Sequence, residues 1–206
     1  MRGFMREEQR ITIENYNKIA ASWTSKRNPD YWSKEFSKFQ ELLPAGSVFE
    51  LGCGSGIDSR YFSDAGYNYT GIDRSEELLK IAKQNHPKNR FLKMDLCRLG
   101  LKSNLFDGFW AAAVFLHIPK EDIKQALLEL KRVLKKNAIG FIALKDGHGE
   151  ELVQGSEKDD RRFFAYYSLS EFGAVLNENK FEILSMSQSA SDSCNTSWLI
   201  YFVRSA

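Results

Sequence analysis

Alternating glycines in Glu50-Leu-Gly-Cys-Gly-Ser-Gly56 constrain this chain more than any other feature of its sequence. They directly follow a short apolar run, Val48-Phe-Glu-Leu51, and precede a helical pattern from about Ile57 to Ala65. A glycine loop between a strand and a helix belongs at the carboxyl edge of an open α/β sheet, where such sheets bind ligands. Glycine serves there because the backbone turns sharply and a ligand can approach it without meeting a Cβ atom. Free N–H groups at the start of the helix favour a negatively charged part of that ligand.

The spacing narrows the ligand. A dinucleotide fingerprint reads G-x-G-x-x-G. Here Gly52, Gly54 and Gly56 alternate, Ile57 holds the place of the third dinucleotide glycine, and Glu50 stands two places ahead of the first. That form argues against NAD and FAD, and a Walker loop is excluded because no Gly-Lys-Ser/Thr follows. Cys53, inside the loop, reads as a small structural residue rather than a nucleophile. A second apolar run, Tyr67 to Asp73, ends on a carboxylate suited to accepting hydrogen bonds from both hydroxyls of a ribose.

The remainder alternates in the same way and predicts a largely parallel sheet with crossover helices. Residues 11–43 read as two helices broken around Arg27-Asn28-Pro29-Asp30, with Pro44-Ala-Gly46 stopping the second. Ser75 caps a helix carrying Leu78, Leu79, Ile81 and Ala82. Arg90 to Asp95 and Asp107 to Phe115 read as strands three and four. Pro119 opens a helix whose stripe is Ile123, Ala126, Leu127, Leu130, Val133 and Leu134. Lys136-Asn137 turns into strand five, Ile139 to Leu144. Residues 145–162 read as a long polar loop. Ser168 and Glu171 form a capping box for a helix from Leu169 to Leu176, and strands Phe181 to Met186 and Trp198 to Val203 close the chain.

Composition adds exclusions. With 29 basic and 27 acidic side chains, the net charge of +2 favours no nucleic-acid partner and excludes none. Cys53, Cys97 and Cys194 contain no CxxC pair, which argues against a disulfide framework or zinc site, and His86, His117 and His148 lack ligand spacing, so no metal is expected. The charged first ten residues do not read as a signal peptide, and the longest apolar run, Phe109 to Leu116, is too short to cross a bilayer. A cytoplasmic protein, monomeric or weakly dimeric, is the expectation.

Taken in order, these segments resemble the class I S-adenosylmethionine-dependent methyltransferases. The match runs from E/D-x-G-x-G-x-G through Asp73 and Met94-Asp95-Leu96 to Phe106-Asp107-Gly-Phe-Trp-Ala-Ala-Ala-Val-Phe-Leu-His117. It continues through Leu130-Lys-Arg-Val-Leu-Lys-Lys-Asn-Ala-Ile-Gly140, where Lys136-Asn137-Ala138 replaces the family's usual Pro-Gly-Gly turn. The resemblance is strong over residues 45–145 and implies a Rossmann-like fold: a mostly parallel seven-stranded sheet with an antiparallel C-terminal strand and helices on both faces. It implies one domain over 1–206, with a helical lid at 1–44, a cofactor core at 45–145 and an acceptor side at 146–206. It also implies S-adenosyl-L-methionine as cofactor. Glu50 and the Gly52-Cys53-Gly54-Ser55-Gly56 loop would pass beneath its methionyl part, Asp73 would hold the ribose and Arg74 would lie beside the adenine. Asp95 would accept from the adenine amino group, Leu96 would line that pocket, and Ala111 would contact the methionyl end.

The acceptor side is less determined. His117 is a candidate general base, or a loop histidine that packs near the cofactor. Asp146 and His148, after strand five, are candidates for acceptor binding or members of a solvated loop. Tyr166, in Arg161-Arg-Phe-Phe-Ala-Tyr-Tyr167, either walls the acceptor pocket or belongs to the core. Tyr16-Asn-Lys-Ile-Ala-Ala-Ser-Trp23 resembles the family's lid helix, so Trp23 and Tyr31 either cap the cofactor or serve helix packing. Lys131, Arg132, Lys135 and Lys136 read as a solvated face. The favoured function is methylation of an oxygen or nitrogen of a small molecule. A tRNA- or RNA-modifying enzyme and an inactive cofactor-binding regulator are the alternatives.

Overall fold

The computed structural model describes residues 6–155, 160–190 and 197–206, so Cys194 and part of the 145–162 segment lie outside the described residues. The chain begins with α1 (Glu7–Lys26) and α2 (Ser33–Leu42), then β1 (Ser47–Leu51), α3 (Ser59–Asp64) and β2 (Asn68–Asp73). There follow α4 (Glu76–Asn85), β3 (Arg90–Lys93), β4 (Phe106–Ala112), a 3-10 turn (Phe115–His117), α5 (Ile123–Val133) and β5 (Leu134–Lys145). The last elements are β6 (Glu150–Gln154), β7 (Arg161–Ala165), α6 (Leu169–Glu178), β8 (Phe181–Ala190) and β9 (Ser197–Ser205).

Seven strands form one sheet in the order β3-β2-β1-β4-β5-β9-β8. The first five pair in parallel, while β9 runs antiparallel to both neighbours. Order reverses between β1 and β4, the topological switch point at which sheets of this kind open a ligand crevice. This is the Rossmann-like architecture expected from the alternating pattern.

The two-residue period of the strands sorts their side chains between two apolar layers. Phe49, Leu51, Phe109 and Ala111 pack with the stripe of α5 and with Phe172 and Leu176 of α6. Val48, Tyr69, Trp110 and Phe141 pack on the opposite face with Phe36 and Phe39 of α2, Phe62 of α3 and Leu79 of α4. Trp110 and Phe141 stack across neighbouring strands with centroids 3.9 Å apart.

Local signals hold at the helix ends. The Ser75 hydroxyl accepts from the Leu78 amide, and Ser168 with Glu171 makes both halves of a capping box. Strand five begins earlier than expected: Leu134 pairs with Phe106, and pairing resumes at Ile139 with Gly108. The Lys136-Asn137 turn is thus an irregularity within β5, with Asn137 at φ 64. The larger correction concerns 145–162. Instead of a loop, much of it joins β7 in a separate antiparallel hairpin, β6–β7, lying beside α1 and the 3-10 turn.

Candidate active site

A cavity of about 530 Å³ opens at the carboxyl ends of β1, β2, β4 and β5, roofed by α1 and β7. The glycine loop forms one wall. Gly52 (φ 65) lies so close to the end of β4 that a Cβ atom there would stand 2.5 Å from Val114 Cγ2. At Gly54 (φ 53) the added atom would meet nothing nearer than Leu78 at 4.0 Å, because that residue faces open space. Asp73 closes this end of the cavity. Its Oδ2 accepts from the Gly54 amide at 2.9 Å and its Oδ1 from the Ser75 amide at 2.8 Å.

Three carboxyl groups, Glu50, Asp58 and Asp73, line the same region. Burial pushes all three above the usual carboxylate range, and at Glu50 the nearby Asp58 adds to the effect. Tyr69 donates to Glu50, and Trp110 Nε1 donates to Asp58 at 3.0 Å. Ile57, Ile72, Leu78, Met94 and Leu96 supply the apolar wall.

The other half of the cavity is aromatic and cationic: Tyr16, Trp23, Phe164 and Trp198 lie there with Arg27, Lys145 and Arg162. His117 sits at its centre. The imidazole Nδ1 lies 2.7 Å from the Phe163 carbonyl, which only accepts, so Nδ1 carries the proton. Nε2 is therefore a lone pair, and the Tyr16 hydroxyl donates to it at 2.9 Å. Burial lowers the His117 pKa to about 4, the Phe163 carbonyl works against that shift, and Arg162 and Lys145 add to it. The imidazole is neutral at physiological pH. Ala113, where β4 gives way to the 3-10 turn, holds φ 58, a conformation uncommon for a non-glycine residue.

The comparisons with known proteins bear on this geometry. A family model described as a methyltransferase domain matches residues 49–142. The chain is 32% identical over 162 residues to a malonyl-acyl-carrier protein O-methyltransferase of Pectobacterium atrosepticum, covering 73% of this chain and 63% of that protein. It is 22% identical to a ubiquinone biosynthesis O-methyltransferase of Rickettsia canadensis, over 90% of this chain and 89% of the other. The 1,6-didemethyltoxoflavin-N1-methyltransferase of Burkholderia thailandensis, solved with S-adenosylhomocysteine, shares the fold. Its TM-score is 0.75 at 17% identity, over 94% of this chain and 85% of that one. Residues 49–142 are a methyltransferase domain of the S-adenosylmethionine-dependent type. The chain spans less than two thirds of the length of the first curated relatives it matches.

The family's cofactor is S-adenosylmethionine, and the residues fit it. Gly54 leaves the room its backbone approach requires, and the Asp73 carboxylate is fixed by two amides with lone pairs remaining for ribose hydroxyls. Carboxyl groups raised by burial suit a ligand bearing an ammonium and a sulfonium.

Of the residues singled out in the sequence, Glu50, Gly52, Cys53, Gly54, Asp73, Arg74, Leu96, His117, Trp23 and Tyr31 line the cavity. Six others stand elsewhere. The Gly56 Cβ direction faces Phe91 and Ala82, so that glycine serves the turn and the packing beneath it. Ala111 belongs to the layer under α5, because strand alternation turns it from the cavity, which Ala112 and Ala113 line instead. Asp95 stands outside the lining, paired with Arg74 at 3.4 Å and capping the Cys97 amide. Asp146 accepts from Gln188 at 2.9 Å, and His148 is exposed. Tyr166 stacks on Phe164, beyond the end of β7.

Sequence reasoning missed Gln9, Thr12 and Ile13 of α1, together with Lys145, Arg162 and Trp198. A signal existed for the first three: Gln9, Thr12, Ile13, Tyr16 and Trp23 recur at helical spacing on one face. Among the described residues no group of three or more His, Cys, Asp or Glu is placed to hold a metal, and no helix is long and apolar enough to cross a membrane.

Proposed function

We propose that the protein transfers a methyl group from S-adenosylmethionine to an oxygen or nitrogen of a small-molecule acceptor. The observation that carries this reading is the division of one cavity: a carboxylate-rich glycine-loop half, and an aromatic half centred on the Tyr16–His117 hydrogen bond. The curated relatives named as O-methyltransferases, and the structural neighbour named as an N1-methyltransferase, support the two acceptor atoms.

The cofactor supplies a methyl group already activated on a sulfonium, so the protein's task is alignment of the acceptor and removal of its proton. Asp73 and the glycine loop orient the cofactor, while Tyr16, Trp23 and Phe164 exclude water. The Tyr16 oxygen is the group set to meet an acceptor hydroxyl or amine, and its donation to His117 Nε2 keeps its lone pairs turned toward the acceptor. His117 thus acts behind Tyr16 rather than on the acceptor directly.

An RNA substrate finds less support. Arg132 is bound to Glu129 and to the carbonyls of Leu99 and Leu101, and Lys135 to Asp107, so the basic cluster is partly spent on local contacts.

Calorimetry with S-adenosylhomocysteine and transfer of a labelled methyl group to metabolite extracts test the proposal. Asp73→Ala should weaken homocysteine-product binding by about 3 kcal/mol, roughly 10²-fold, through two lost charge-assisted hydrogen bonds. Unchanged affinity in that variant, or no binding to the parent protein, would remove the cofactor site from this cavity.

A further inference from the structure

With S-adenosylmethionine as the ligand of this cavity, a reading on which this inference rests, we propose that Gln9 of α1 recognises the adenine. Its side-chain amide pairs with the N6 amino group and the ring nitrogen beside it.

The parts of the cofactor have one order along the cavity. The sulfonium must face the acceptor half at Tyr16 and His117, and the ammonium belongs with the buried carboxyl groups of Glu50 and Asp58. Asp73, held by the Gly54 and Ser75 amides, takes the ribose. The base therefore lies beyond Asp73, where Met94 and Leu96, past the end of β3, and Ile118 give an apolar wall fit for a flat ring.

Two side chains stand near enough to compete for the edge of that ring, and their partners separate them. Asp95 is committed elsewhere. One of its oxygens lies 3.4 Å from Arg74 Nη1, the other accepts from the Cys97 amide at 2.9 Å, and the residue stands outside the cavity lining. Gln9 is the reverse case. It is only 7% exposed and lines the cavity, and among the described residues its Nε2 donates no hydrogen bond. Its Oε1 meets Arg74 Nη1 at 3.5 Å, a long contact that leaves lone-pair capacity on the oxygen. A buried amide with its donor unused is costly until a ligand supplies the acceptor.

Arg74 also decides which way the amide faces. A guanidinium only donates, so the atom beside it is Oε1 and Nε2 takes the other side. Gln9 then offers one donor and one acceptor side by side, which matches an amino group flanked by a ring nitrogen. Adenine carries that pair on each edge that includes N6, and a glutamine amide reads the N6–N7 edge in this way in DNA. Hypoxanthine puts an oxygen in place of the amino group and sets acceptor against acceptor. Because Gln9 belongs to α1, recognition of the base also draws the roof onto the floor of the cavity.

The test is calorimetry on the full chain with S-adenosylhomocysteine, S-inosylhomocysteine, and the 1-deaza and 7-deaza forms of S-adenosylhomocysteine. S-adenosylhomocysteine should bind about tenfold or more tightly than the inosine compound and than the weaker deaza compound, whose missing nitrogen identifies the edge. Gln9→Ala should lower S-adenosylhomocysteine affinity about tenfold and bring it within about twofold of both, so that the preferences vanish. Gln9→Glu keeps the acceptor and loses the donor. It should retain part of the preference over the inosine compound and lose that over the deaza compound. A side chain that only shaped the roof would weaken all the ligands alike. That result, equal binding of all of them by the parent protein, or preferences that survive Gln9→Ala would each overturn the proposal. Should Gln9→Ala fail to fold, Gln9→Glu decides by the same preferences. Failure of every compound to bind the parent protein would strike the cofactor assignment and this proposal with it, whereas discrimination indifferent to Gln9 strikes this proposal alone.

Discussion

Glu50 lies two residues ahead of Gly52 on β1, and the strand's alternation turns it away from the α5 layer toward Tyr69, Asp58 and the cavity. At that point it is 3% exposed, a costly place for a charge. Burial, then the nearby Asp58, keep its carboxyl protonated well above the ordinary value of 4.5. A ligand bearing positive charge reverses the preference, because it interacts with the ionised form. The sign follows: on binding, Glu50 gives up a proton it held in the free protein, so affinity for S-adenosylmethionine rises with pH until Glu50 is ionised without the ligand. Calorimetry in buffers of different ionisation enthalpy measures that proton directly. Glu50→Gln should remove the released proton, and binding without proton release in the parent protein would refute the assignment. Cys53 shows the same principle in a residue with no chemistry to do. Burial raises its thiol well above the usual range, and its Cβ lies 2.9 Å from where a side chain at Gly71 would begin, so it packs and does not react.

Two short elements separate cofactor binding from fold stability. Gly52 adopts φ 65 against Val114, so Gly52→Ala brings a backbone penalty of about 1–2 kcal/mol and an overlap with the Val114 side chain. The loop must move to relieve it, and S-adenosylhomocysteine affinity should fall by at least about tenfold. Ser168→Ala removes the capping box of α6 and should cost about 1 kcal/mol in denaturant unfolding with cofactor affinity unchanged. A variant pair that lost both properties together would mean the loop and the distant cap are not independent. The contrast also explains what the sequence made legible. Strand–loop–helix units, the capping box and the α5 stripe are decided within a dozen residues, and so is the glycine loop. The acceptor wall is not. Arg162 and Phe164 reach the cavity because 150–154 and 161–165 pair as a hairpin, whereas polar composition there suggested a loop. Asp146 and His148, adjacent to that hairpin in sequence, are carried elsewhere by contacts with β8 and solvent. Ala111 differs by one step of strand alternation, which places Ala112 at the cavity instead.

On the scale of the whole molecule, α1 joins the two halves of the site through polar contacts. Asn17 Oδ1 accepts from the Ser75 hydroxyl at 2.7 Å and from the Glu77 amide at 3.2 Å, at the start of α4. Thr12 Oγ1 accepts from the Phe163 amide at 2.9 Å, and Asn15 and Tyr16 reach Asp160 and His117. The residues α1 buries fully are Gln9, Thr12, Asn15 and Ala20, three of the four polar, while its larger apolar side chains are only partly buried. Hydrogen bonds exchanged with water contribute only about 0.5–1.5 kcal/mol each, so lifting this helix costs less than parting an apolar interface of equal size. A roof that separates readily gives the cofactor a way in, and a ligand contacting both roof and floor holds it closed. Lys26 and Arg27 end the helix at the cavity edge and mark a site for trypsin. If cleavage there requires α1 to lift, a ligand at 100 times its Kd stabilises the closed form by about 2.7 kcal/mol, and cutting should slow by up to roughly 10²-fold. The measurement is the rate of cleavage after Lys26 and Arg27 with and without saturating S-adenosylhomocysteine. An equal rate in both would show that α1 is a fixed wall, and that the cofactor enters by another path.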